Sequence, residues 1–270
     1  MKHPFSIGIF DSGFGGLTVL KEVRRALPNV PLLYFGDTAR VPYGTKSRNT
    51  VVRYSLQIVR FLLDKGVGMI IVACNTSSAL SLPEIRAAVE VPVIDVVEPG
   101  AQKAVERTRN RKIGVIGTEA TIQSGSYEHA IKKIDSSVEV FSQPCPMFVP
   151  LVEEGWVDER DPITLAVAQR YLSSFRDNGV DSLVLGCTHY PLLKPVIRKV
   201  LGPEIGLIDS AQGVAEKSAT VVGSGSVRGY ECDGKPSLEC YVTDSVEKFK
   251  RLAPLFLGCE SIDEVRHVDL

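Results

Sequence analysis

Two stretches of the chain share a pattern of apolar and polar positions: Met69-Ile-Ile-Val-Ala-Cys74-Asn75-Thr76 and Ser182-Leu-Val-Leu-Gly-Cys187-Thr188-His189. Each is an apolar run of buried-strand length that breaks, at a cysteine, into small polar residues. A helical pattern containing a proline follows each, with Pro83 in the first and Pro195 in the second. In α/β proteins the point where an apolar strand turns polar marks its carboxyl end, and ligands bind in the crevice there.

The flanking pattern predicts strands alternating with helices. Ile7-Gly-Ile-Phe10 reads as a strand, Leu17 to Leu27 as a helix, Pro31-Leu-Leu-Tyr-Phe35 as a strand and Ser47 to Lys65 as an amphipathic helix. The run ending at Cys74, its helix and Val91-Pro-Val-Ile-Asp95 complete a unit. A second unit repeats the plan: strands at Lys112–Gly117, Val138–Phe141, the run ending at Cys187 and Ile205–Asp209, with a helix from Pro162 to Phe175. Such alternation means βαβ units and mostly parallel sheets. Cys187 follows Cys74 by 113 positions and Asp209 follows Asp95 by 114, so the landmarks keep register. A repeat of that length points to two similar α/β domains rather than a solenoid. After Asp209 come a helix (Ala211 to Val222), a Gly/Ser-rich turn (Gly223 to Gly229) and strands at Leu238–Thr243 and Val265–Val268 around another helix. This tail is too short for a third unit. The expected division is therefore residues 1–96 with 210–270, carrying Cys74, and residues 97–209, carrying Cys187.

Composition adds exclusions. Hydrophobic residues are 44% and charged residues 23% of the 270 positions, ordinary for a globular chain. The formal net charge of −1 gives no electrostatic case for nucleic acid. No apolar run approaches the ~20 residues needed to span a bilayer, and no signal peptide precedes the first strand. A cytoplasmic protein is expected. In a reducing compartment the six cysteines are not expected to form disulfides, and with no CxxC pair and only four histidines a metal site is not expected either. Cys145, Cys232, Cys240 and Cys259 read as small buried hydrophobes.

The polar residues at the strand ends carry the candidate chemistry. Asp11-Ser12-Gly13-Phe14-Gly15-Gly16 follows a strand and opens a helix. It fits both an anion-binding turn and a plain βα turn in which Asp11 or Ser12 caps the helix. Pro42-Tyr43-Gly44 fits a ligand-facing loop or a simple turn. Asn75, Thr76 and Ser77 after one cysteine, and Thr188, His189 and Tyr190 after the other, either cap helices or donate to a small anion. A helix amino end also lowers a thiol pKa, from about 8.5 toward neutrality. His189 and Asp11 fit either plain surface or capping positions or groups that tune a neighbouring thiol, and Glu153 or Glu154 fits the same part or, more commonly, a solvated helix end. Two thiols facing one small anion suggest a proton leaving one face of a carbon and returning on the other. That is racemisation, which needs one group protonated and the other not. A hydrolase with one cysteine nucleophile and a two-domain ligand-binding protein with idle thiols remain alternatives.

The strings Ile9-Phe-Asp-Ser-Gly-Phe-Gly-Gly-Leu-Thr18, Pro42-Tyr-Gly44, Ala73-Cys-Asn-Thr76 and Gly186-Cys-Thr-His-Tyr-Pro191 closely resemble the signatures of bacterial glutamate racemases. The resemblance runs from about Ile7 to Val222. It implies two α/β domains related by a pseudo-two-fold with the substrate between them, and interconversion of L- and D-glutamate without a cofactor or metal. The D form would serve peptidoglycan synthesis, and a homodimer is a family possibility. By resemblance Cys74 takes the α-proton of D-glutamate and Cys187 that of L-glutamate. Asp11 is implied to partner Cys74, with His189 and Glu153 assisting Cys187. The implied substrate contacts are Asp11, Ser12, Pro42, Tyr43, Gly44, Asn75, Thr76, Thr118, Thr121, Thr188 and His189. Asp37 also matches a family position, and an aspartate racemase is the nearest rival.

Overall fold

The computed structural model describes residues 5–224, 237–258, 262 and 264–270. In chain order the elements are β1 (Ile7–Asp11), α1 (Leu17–Ala26), β2 (Leu32–Gly36), α2 (Arg48–Asp64), β3 (Met69–Val72), α3 (Asn75–Ala88), β4 (Val93–Asp95) and α4 (Val97–Arg107). There follow β5 (Lys112–Gly117), α5 (Glu119–Gln123), α6 (Ser126–Ile134), β6 (Glu139–Pro144), α7 (Phe148–Glu153), α8 (Pro162–Asp177), β7 (Ser182–Gly186), α9 (Lys194–Leu201) and β8 (Gly206–Ile208). The tail contributes α10 (Ala211–Gly223), β9 (Leu238–Val242), α11 (Val246–Leu257) and β10 (Val265–His267).

The strands form two sheets, a six-stranded one of order β10-β9-β2-β1-β3-β4 and a four-stranded one of order β6-β5-β7-β8. Every strand pairing among the described residues is parallel. Their common core, β2-β1-β3-β4 against β6-β5-β7-β8, has the same order. β9 and β10 extend the first sheet beyond β2, with Leu32 in register with Leu238, and α10 packs against α1.

Side-chain alternation explains the layering. In β1, Ile7 and Ile9 join Leu17, Leu20 and Phe249 of α1 and α11 on one face. Phe10 joins Ile58 and Leu62 of α2 on the other. In β5, Ile113 and Val115 meet Ala101 of α4 and Ile131 of α6. The residues of β1, β3, β5 and β7 are buried but for a half-buried Lys112, because helices cover both faces.

Strand order also places the site. In each sheet the direction of winding reverses between two neighbouring strands, β1 and β3 in one and β5 and β7 in the other, and such a switch point opens a crevice at the strands' carboxyl ends. Asp11 ends β1 and Cys74 follows β3; Thr118 follows β5 and Cys187 follows β7.

Candidate active site

These four turns meet. Ser12, Val41, Pro42, Tyr43, Gly44, Cys74, Asn75, Thr76, Thr118, Val149, Cys187, Thr188 and His189 line one cavity of about 20 Å³, room for roughly one water. Cys74 and Cys187 are 5% and 7% exposed, and both line this cavity.

Cys74 caps its own helix: the Ser77 N–H donates to its Sγ at 3.5 Å, and its thiol contacts Ser12 Oγ at 3.6 Å. The helix amino end does not, however, make this thiol acidic. Burial, with the Asp11 carboxylate next in weight, pushes the Cys74 pKa up to about 11, against the lowering expected from the helix field. Asp11 and Ser12 do not cap α1, whose first residue follows Gly16 without a side-chain cap. Asp11 instead accepts from the Gly13 N–H at 2.8 Å and from the Thr188 hydroxyl at 3.2 Å, a bond that ties the two halves together. Complete burial pushes the Asp11 carboxyl up, opposed by His189 and these donors.

On the other side, Cys187 Sγ lies 3.8 Å from His189 Nδ1, and His189 Nε2 lies 3.2 Å from Glu153 Oε1. Glu153 Oε2 in turn lies 3.8 Å from Lys248 Nζ of α11, and the His189 ring stands edge-on to Phe256. Burial opposes a charged imidazole, but bonding to Cys187 and Glu153 outweighs it and His189 is pushed up to about 10. Glu153, also opposed by burial, is held below its usual range by His189 and Lys248. Glu154 is exposed at the end of α7.

Of the remaining expected contacts, Pro42, Tyr43, Gly44, Asn75, Thr76, Thr118 and Thr188 line the cavity, whereas Thr121, like Asp11, does not. The Thr76, Thr118 and Thr121 hydroxyls lie 2.9–3.3 Å from one another, Thr118 also capping α5. Tyr43 bonds to the buried Asp37, which accepts from Thr243 at 2.8 Å and from Arg40 at 2.9 Å. Asp37 thus acts behind Tyr43 rather than in the cavity. Cys145 and Cys240 are buried; Cys232, Cys259 and most of the 223–229 turn lie outside the described residues. Among the described residues no group of three or more His, Cys, Asp or Glu side chains is placed to hold a metal ion. Neither Val41 nor Val149 was legible as a cavity residue, and Lys248, Phe256 and Tyr127, which bonds to Asn75, carry no local signal, since each reads as an ordinary residue of an amphipathic helix.

Two parallel sheets that share a four-strand order, each delivering a thiol to one small cavity, fit an enzyme of the two-thiol racemase kind. The model of the Asp/Glu/Hydantoin racemase family matches residues 7–217, and the chain belongs to that family; it is an isomerase. Within the family its similarity runs to glutamate racemases. That of Geobacter metallireducens is 49% identical over 258 residues, covering 94% of this chain and 93% of the relative. The crystal structure of the Francisella tularensis glutamate racemase in complex with D-glutamate superposes with a TM-score of 0.91 at 39% identity, covering 98% and 97% of the two chains. A Bacillus anthracis glutamate racemase superposes with a TM-score of 0.92 at 38% identity, covering 100% and 99%.

Proposed function

We propose that the protein interconverts L- and D-glutamate by passing the α-proton between Cys74 and Cys187, supplying D-glutamate for peptidoglycan in the cytoplasm. The observation that carries this reading is the opening of one thiol from each sheet onto the same cavity. A hydrolase would use one of them, and a binding protein neither.

Cys187, beside an imidazole that readily holds a proton, removes the α-proton of L-glutamate. Cys74, protonated in its buried setting, delivers its proton to the opposite face and D-glutamate results. In the reverse direction Cys74 is the base. The α-carbon is a far weaker acid than a thiol, so the carbanionic transition state needs its own stabilisation. Ser12, Asn75, Thr76, Thr118 and Thr188 offer hydroxyl and amide donors to the substrate carboxylates, and Tyr43 and Gly44 close the wall. Among the described residues no lysine lines the cavity. Closure of the turns around a bound substrate would exclude water and strengthen each of these contacts. Asp11 favours proton retention on Cys74.

L-glutamate incubated with the protein in deuterated water, with nothing added, is expected to yield D-glutamate deuterated at the α-carbon. Absence of label from both enantiomers, by mass spectrometry after chiral separation, contradicts the reading. No helix among the described residues is long and apolar enough to cross a membrane.

A further inference from the structure

Tyr127 lies on α6 and is not among the residues lining the cavity. It is 3% exposed, and its ring is wedged between Gly100 and Gly186, where an added Cβ would meet it at 3.2 and 3.0 Å. Its hydroxyl crosses to the other half and donates to Asn75 Oδ1 at 2.6 Å. Burial, with negative groups near it, drives its pKa far above the ordinary phenol value, so it is a neutral donor at any working pH.

Asn75 opens α3, is 3% exposed and lines the cavity. Its Nδ2 is buried and has no hydrogen-bond partner among the described residues. A buried donor left unmatched is costly unless a ligand accepts from it. An asparagine amide also has two faces: rotated by half a turn, it would present the Oδ1 acceptor where Nδ2 now stands. A carboxylate attracts the first arrangement and is repelled by the second.

We infer that Tyr127 is a positioning residue for substrate binding, locking the Asn75 amide so that Nδ2 rather than Oδ1 meets a carboxylate in the cavity. The inference rests on the proposed reading of glutamate as substrate and extends it to a residue that does not touch the cavity. Tyr127 acts only through Asn75, which distinguishes it from a residue that merely fills space between α4 and β7.

The test is a double-mutant cycle of Tyr127→Phe and Asn75→Ala, with KM and kcat measured from both enantiomers. Phenylalanine keeps the ring in its slot, so the fold is retained. Tyr127→Phe is expected to raise KM about three- to tenfold, the scale of one hydrogen bond, with a smaller fall in kcat. In the Asn75→Ala background the same change should move KM by less than about twofold, because no amide remains to orient. A KM for Tyr127→Phe within twofold of the parent, or an equal rise in both backgrounds, overturns the inference while leaving the racemase reading intact. A parent protein that does not racemise glutamate removes that reading instead.

Discussion

Cys74 meets a hydroxyl and a backbone N–H, whereas Cys187 meets an imidazole that is itself bonded to a carboxylate. The two halves therefore repeat a plan but not its chemistry, and the inequality has measurable consequences. A negative neighbour disfavours a thiolate, so Asp11 raises the Cys74 pKa and a neutral replacement lowers it. The competent free enzyme carries one thiol protonated and one not, and loss of that last proton sets the alkaline limb of kcat/KM. Asp11→Asn is thus expected to move this limb to lower pH by about one unit, read from a pH–rate profile; an unmoved or raised limb contradicts the assignment. His189 touches Cys187, so His189→Asn should fall chiefly on proton removal from L-glutamate. Enantiomers have equal free energy, which forces kcat/KM to be the same in both directions for any variant. The asymmetry must then appear in kcat, expected to fall about a hundredfold from L-glutamate and distinctly less from D-glutamate. Equal falls in kcat count against it.

At the scale of elements, the strands and the turns that follow them were readable because an apolar run has few alternatives to a buried strand. Cys74, Asn75 and Thr76, like Cys187, Thr188 and His189, stood out as the polar exits of such runs. What faces them was not readable. Thr188 bonding to Asp11, or Tyr43 standing before Asp37, depends on contacts between distant segments that local pattern does not encode. The expected acidic Cys74 failed for the same reason: the helix-end field is local, while burial and Asp11 are set by tertiary packing. Gly15 shows how tightly the turns are matched. A Cβ there would lie 2.2 Å from Thr188 Oγ1 and 2.5 Å from His189 Nδ1. Gly15→Ala is expected to cost about 1–3 kcal/mol in a denaturation experiment and, by displacing His189, to lower kcat/KM about a hundredfold. Unchanged kinetics would show that this contact does not set the geometry of the Cys187 side.

Across the whole molecule, the repeated strand order accounts for why the chemistry lies between the sheets. Each sheet has one switch point, each switch point ends in a thiol, and both thiols line the same cavity. The tail, read only as completing the first unit, does more. Its helix α11 brings Lys248 and Phe256 to the Glu153–His189 pair, and Thr243 after β9 holds Asp37. The cavity has space for about one water, less than a glutamate fills, so under the proposed reading the turns lining it separate to admit the substrate.

The most direct test follows the label in time. A thiol carries a single proton that exchanges with solvent, so in deuterated water with L-glutamate, early samples should hold deuterium in the D-glutamate formed and almost none in the L-glutamate that remains. The same partition, with the labels exchanged, should hold from D-glutamate. Deuterium entering the recovered substrate as fast as the product would mean that one group serves both faces, and the two-thiol account would fail.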